Sequence, residues 1–155
     1  MQIHAKVLPN LVNLLSVAQK DGMDLKIISA YRSFGEQSIL KGAYTVNYGS
    51  GANTFSADQG YSEHQLGTTI DFTTTSIGAS FSGFSKTKEY EWLVQNAYKY
   101  GFIISYSKDN TYYQFEPWHW RFVGKSLAKR LYEEKQNFYD LEQRIIDSYL
   151  INIFD

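Results

Sequence analysis

The 155-residue chain contains no cysteine, only two prolines and only two methionines. The absence of cysteine excludes disulfides, thiolate metal sites and a cysteine nucleophile. Histidine and carboxylates are then the only strong ligands available to a transition metal. A basic surplus is missing as well: 15 Lys and Arg face 16 Asp and Glu, for a formal net charge of −1 at pH 7. That balance argues against a protein built to hold nucleic acid, which must neutralise phosphates. No apolar run is long enough to cross a bilayer, and Met1-Gln2-Ile3-His4-Ala5-Lys6 lacks the charged-then-apolar layout of a signal peptide. Aromatic residues, by contrast, are plentiful at 17%, with 13 Tyr. They fill cores, and they also line clefts for peptides or sugars. The length and the ordinary hydrophobic share of 43% fit one domain spanning 1–155.

Periodicity outlines the elements. Leu8, Leu11, Val12 and Leu15 fall at helical spacing, predicting a helix over about 8 to 19 that stops near Asp21-Gly22. Leu25 to Ala30 is short and β-branched, a buried strand. Ser33 with Glu36 forms a capping box for a helix expected to end near Gly42. Residues 44 to 63 show no sustained period and read as a long loop, a feature usually functional or disordered in a compact domain. Thr68 to Thr73 alternates as a strand, and Gly78 to Ser85 is a loop. Lys88 to Tyr100 is a helix stopped by Gly101. Phe102 to Tyr106 and Tyr112 to Phe115 suggest an antiparallel hairpin, and Ser126 to Lys135 a helix. Asp140 with Gln143 suggests a capping box for a last helix through Ile145, Ile146 and Leu150. This order predicts an α+β fold with helices flanking a mostly antiparallel sheet.

Two of the three histidines keep unusual company. His64 follows the long loop, and Asp71 lies seven residues on, inside a predicted strand where aspartate is disfavoured. An inward-facing Asp71 needs a partner, because an unpaired buried carboxylate is very costly. His119 sits in Glu116-Pro117-Trp118-His119-Trp120, where Pro117 opposes a regular helix and favours a strand end or turn. Two imidazoles and one carboxylate with an open position for water make a recognised catalytic zinc arrangement. Glu116 could then serve as the proton-transferring base, and Arg32, at the end of a predicted strand, as the cationic donor to a developing oxyanion. Each residue also admits a structural reading: a core histidine, a turn carboxylate, an Asp71–Arg32 pair, a surface arginine, and Trp118 and Trp120 as core. There is no HExxH helix.

Three blocks resemble the VanY-type D-alanyl-D-alanine carboxypeptidase family, in the wider zinc peptidase group that includes lysostaphin-like enzymes and the hedgehog domain. They are S-A-Y-R-S-F-G-E-Q at 29 to 37, S-E-H-Q-L-G-T-T-I-D-F at 62 to 72 and E-P-W-H-W-R-F-V-G at 116 to 124, with support from E-W-L-V-Q-N-A-Y-K-Y-G-F at 91 to 102. The likeness spans about residues 8 to 135. It departs at Thr69, where the family usually has Ala, and at Asp58-Gln59-Gly60, where it usually has R-P-G or P-P-G.

The resemblance implies a hedgehog/DD-peptidase-like fold, zinc on His64, Asp71 and His119, Glu116 as general base and acid, and Arg32 polarising the scissile carbonyl. It places Gln37 and Ser62 where family members hold the substrate's C-terminal end. The expected activity is removal of terminal D-Ala from a peptidoglycan stem peptide, with D,D- and L,D-carboxypeptidase versions undistinguished by the motifs. An endopeptidase of the same group cutting between L-Ala and D-Glu, and a non-catalytic zinc-stabilised binding module, are the alternatives. A monomer in the cell envelope or secreted is expected, its leader or anchor absent from this chain. A cytoplasmic location stays open, because relatives acting on free dipeptides work there.

Overall fold

A computed structural model describes residues 1–154. Its centre is a four-stranded, wholly antiparallel sheet in the order β1-β2-β4-β3. The strands are β1 (Leu25–Ser29), β2 (Thr69–Thr74), β3 (Phe102–Ile104) and β4 (His119–Phe122). Around them pack α1 (Leu8–Lys20), α2 (Phe34–Tyr48), α3 (Lys88–Asn96), α4 (Lys125–Glu134) and α5 (Gln143–Leu150). The expected α+β architecture is present.

Side chains alternate across a strand, so each strand divides its residues between two faces. Ile70 and Phe72 of β2, Trp120 and Phe122 of β4 and Phe102 of β3 all enter the main core, with Leu11, Leu14, Ala18 and Leu93 from the helices. The intervening residues, Asp71 on β2 and His119 and Arg121 on β4, therefore share the opposite face. Asp71 and His119 are direct cross-strand partners, and Asp71 also stands opposite Ser29 of β1. The aspartate that strand propensity disfavours is thus held in the middle of the sheet, on the face that carries polar groups.

Several boundaries differ from the sequence expectation. The buried stripe of α1 is Leu11, Leu14 and Ala18, whereas Leu8 and Val12 are about half exposed. Both stripes satisfy helical spacing, and docking on the sheet selects between them. Helix α2 runs through Gly42 to Tyr48 and ends only at Gly49, whose φ is 57°. One interior glycine costs about 1 kcal/mol relative to alanine, which the capping box at Ser33 and Glu36 offsets. The expected loop beyond it is largely folded: Gly49–Thr54 is a 3-10 helix, and buried Lys41 reaches it by donating to Asn53 Oδ1 (2.7 Å) and the Ser56 carbonyl.

The expected strand at 112 to 115 is absent. The partner of β3 is β4, where Trp120 and Phe122 alternate into the core, while Gln114 N–H instead bonds the Thr54 carbonyl. The expected Asp140 cap is also replaced: α5 begins after Glu142 with no side-chain cap, and Asp140 accepts from the Tyr112 hydroxyl and Asn137. Gly101, as expected, ends the α3 region at φ 84°, where a Cβ would lie 2.5 Å from Phe122 Cε2. Among the described residues, no helix is long and apolar enough to cross a membrane.

Candidate metal centre

His64, Asp71 and His119 converge from three chain segments, each 4–5% exposed, and their ligand atoms lie within 4.8 Å of one another. Asp71 and His119 come from adjacent strands in register. His64 sits in a 3-10 turn, Glu63–Leu66, closed by Gly67 in the left-handed region at φ 67°. That turn is tied to the end of β1, because the Arg32 amide donates to the His64 carbonyl at 3.2 Å.

The outer nitrogen of each ring is already committed. His64 Nδ1 is 2.6 Å from the Ala30 carbonyl, so it carries the proton and leaves Nε2 facing Asp71 Oδ2 at 3.2 Å. His119 is turned the other way: Nε2 meets Glu63 Oε2 at 2.8 Å, and Nδ1 faces Asp71 Oδ1 at 3.1 Å. Tyr106 stacks on the His119 ring at 4.6 Å. Two inward nitrogens, each on a ring braced from behind, and a carboxylate between them fit a divalent ion that takes nitrogen and oxygen ligands.

The electrostatics agree with a cation site. Burial works against charge on Asp71, but the adjacent His119 and His64 rings outweigh it and hold the carboxyl well below its usual range. Glu63 is likewise held low against burial by His119, Arg121 and Tyr139. Burial alone would lower the pKa of His119, but Asp71 and Glu63 raise it to about 10.

Glu116 stands apart from this pairing. It precedes β4 in a turn where the His119 amide donates to its carbonyl at 3.1 Å, which brings both side chains to one side. Its Oε2 lies 3.7 Å from His119 Nδ1. Burial, with nearby Asp71 and Glu63, pushes its pKa up to about 7, partly countered by His119 and Arg32. A carboxyl poised near neutrality beside a metal site suits proton transfer in both directions.

All four residues open onto a cleft of about 570 Å³ that also includes Arg32, Gln37, Ser62, Phe81 and Trp118. Arg32 does not pair with Asp71. Its Nη1 donates to Gln37 Oε1 at 2.7 Å and its Nη2 to Ser29 Oγ at 3.3 Å. Gln37 is 1% exposed, not a surface residue, and its Nε2 donates to the Ala57 carbonyl at 2.7 Å. Ser62 is buried immediately before the His64 turn. Trp118 stacks on Phe81 at the cleft, while Trp120 is core. The third histidine, His4, is exposed and stacks on Phe154, away from the group.

Sequence reasoning missed the supporting residues Glu63, Arg121, Tyr106 and Tyr139. Glu63 had a signal, a carboxylate adjoining a candidate ligand, and Arg121 lies two positions from His119 on the same strand face. Tyr139 had none, since its contact to Glu63 spans 76 positions. Thr69, where the blocks depart from the family pattern, is fully buried with its hydroxyl unpaired.

Fold and side chains together define an α+β protein with a buried two-histidine, one-aspartate group able to bind a metal ion and an additional carboxylate beside it. Residues 1–125 match the family model described as VanY, D-alanyl-D-alanine carboxypeptidase, and the chain belongs to that family. It is 39% identical over 124 residues to YodJ of Bacillus subtilis (strain 168), covering 77% of this chain and 45% of that protein. The chain spans between about a third and a half of the curated relatives it matches first. Among solved structures, the LdcB LD-carboxypeptidase superposes with a TM-score of 0.81 at 32% identity, covering 96% of this chain and 68% of that one. A vancomycin resistance D,D-pentapeptidase VanY in complex with Zn(II) superposes with a TM-score of 0.78 at 28% identity, covering 96% and 83%.

Proposed function

We propose that the chain is a zinc-dependent carboxypeptidase that removes the terminal D-Ala of peptidoglycan stem peptides. The observation that carries this reading is the convergence of His64, Asp71 and His119 with Glu116 on the wall of the cleft of about 570 Å³. Membership in the VanY family and likeness to a Zn(II)-bound member support zinc as the ion. His64 through Nε2, Asp71 through its carboxylate and His119 through Nδ1 would hold it. Zinc in such a site supplies Lewis acidity and brings the pKa of a bound water to about 7.

The chain's own groups do the rest. Glu116 takes the proton from the attacking water and delivers it to the nitrogen of the departing D-Ala. Its elevated pKa serves both halves, because the same carboxyl must accept and then release one proton. The Arg32 guanidinium is held at the cleft by Gln37 and Ser29 and offers its positive charge to the scissile carbonyl as that oxygen becomes negative. Ser62 presents a hydroxyl to the substrate's C-terminal end. Gln37 contributes there by fixing Arg32. The aromatic wall from Phe81 and Trp118 gives the peptide an apolar surface to lie against. Such substrates lie outside the cytoplasmic membrane, which makes the cell envelope the expected place of action.

The test is to incubate the protein with synthetic penta- and tetrapeptide stems and weigh the products. Loss of one D-Ala from the pentapeptide identifies a D,D-enzyme, and loss from the tetrapeptide an L,D-enzyme. No product from either, with soluble fragments released from purified sacculi, would replace the reading with an endopeptidase.

A further inference from the structure

Glu63 is a buried carboxylate that the proposed reaction does not use, yet both of its oxygens are engaged. Oε2 accepts from His119 Nε2 at 2.8 Å, and Oε1 accepts from Arg121 Nη1 at 2.9 Å and from the Tyr139 hydroxyl at 2.6 Å. Arg121 is a neighbour on β4. Tyr139 arrives from Phe138–Asp140, a single helical turn beyond residue 125, where the family match ends. That turn is fastened at every position. Asn137 accepts from Ser107, the Arg121 guanidinium lies 4.5 Å over the Phe138 ring, and Asp140 accepts from the Tyr112 hydroxyl. The Tyr139 ring also stacks on Tyr106, which in turn stacks on His119.

We propose that Tyr139 is a positioning residue of the metal centre. Its hydroxyl fixes Glu63, and Glu63 fixes the His119 ring so that Nδ1 faces Asp71 and His64. A carboxylate behind a ligating imidazole sets its tautomer and orientation, and losing such a partner typically costs about 10- to 100-fold in metal affinity or activity. Arg121 alone would hold Oε1 by one donor from a partly exposed side chain; the hydroxyl is the second point that stops the carboxylate from rotating. Tyr139 is one bond further from the ion than Glu63, so its removal falls at the low end of that range. The inference rests on the reading of His64, Asp71 and His119 as zinc ligands.

The experiment compares the full wild-type chain with Tyr139→Phe, Glu63→Gln, their double variant and Tyr112→Phe. Zinc affinity is measured by competition with a chromophoric chelator, the cobalt(II)-loaded absorption spectrum reports ligand geometry, and urea melts of the metal-free proteins report folding. Tyr139→Phe is expected to bind zinc about tenfold more weakly with shifted cobalt bands, and Glu63→Gln to lose more. Adding Tyr139→Phe to Glu63→Gln is expected to cost nothing further, since the hydroxyl acts through that carboxylate. Tyr112→Phe, which loosens the same turn without touching Glu63, is expected to bind zinc as wild type does. The proposal is overturned by wild-type affinity and spectrum in Tyr139→Phe, by additive losses in the double variant, or by an equal loss in Tyr112→Phe. A wild-type chain that binds no stoichiometric zinc would instead bring down the metal reading beneath it.

Discussion

Replacing Glu116 by Gln separates what that carboxyl does for catalysis from what it costs the fold. In the metal-free protein its pKa is raised from 4.5 to about 7, chiefly by burial. A carboxyl raised in the folded state leaves stability untouched below its unfolded value and lowers it as pH rises through the folded value. The window is therefore pH 4.5 to about 7. At 1.36 kcal/mol per unit, the full penalty above that window is about 3 kcal/mol, and the side chain is 11% exposed, so solvent screens little of it. Glu116→Gln cannot ionise and escapes the penalty. Urea melts in chelator are expected to show the variant gaining about 2 to 3 kcal/mol on wild type between pH 5 and pH 8. The same substitution removes the proton carrier, so kcat on the cleaved stem peptide is expected to fall by about 10²- to 10⁴-fold, with zinc still bound at one per chain. A stability difference independent of pH would refute the buried-acid argument, and retained turnover would remove Glu116 from the reaction.

Three further outcomes follow from the same geometry. Arg32→Ala is expected to lower kcat by about 10²- to 10³-fold without changing zinc content; steady-state kinetics beside elemental analysis checks it, and an unchanged kcat would remove the arginine from carbonyl polarisation. Zinc binding must displace the proton that metal-free His119 holds up to about pH 10; its apparent Kd is expected to weaken about tenfold per unit from pH 8 to pH 6, and a flat profile in competition titrations would contradict this. Gly101→Ala puts a Cβ 2.5 Å from Phe122 Cε2 at φ 84°; the combined strain and overpacking is expected to cost about 2 to 4 kcal/mol, and a urea midpoint equal to that of wild type would show that the close approach is not real.

How much of this could be read from sequence varies by kind of feature. The candidate ligand residues stood out in the sequence because their setting is locally anomalous: Asp71 breaks a β-branched run, and Pro117 separates Glu116 from His119 in a segment that cannot be helical. The Ser33–Glu36 box and the Gly101 stop were legible because capping and left-handed turns depend on near neighbours. Non-local choices were hidden. Gly42 looks like a terminus, yet α2 continues because buried Lys41 is tied to the segment at Asn53 and Ser56. Residues 112 to 115 have strand composition, but β4 takes the place beside β3 through Trp120 and Phe122. The bracing of His119 was out of reach for the same reason, because Glu63, Arg121 and Tyr139 meet only once the sheet and the C-terminal turn are assembled.

Diffraction from zinc-loaded crystals, with anomalous data at the zinc edge, addresses the metal assignment itself. One anomalous peak is expected per chain, bonded at about 2 Å to His64 Nε2, a carboxylate oxygen of Asp71 and His119 Nδ1. A peak elsewhere, or a His119 ring reversed so that Nε2 meets the ion, would contradict the account.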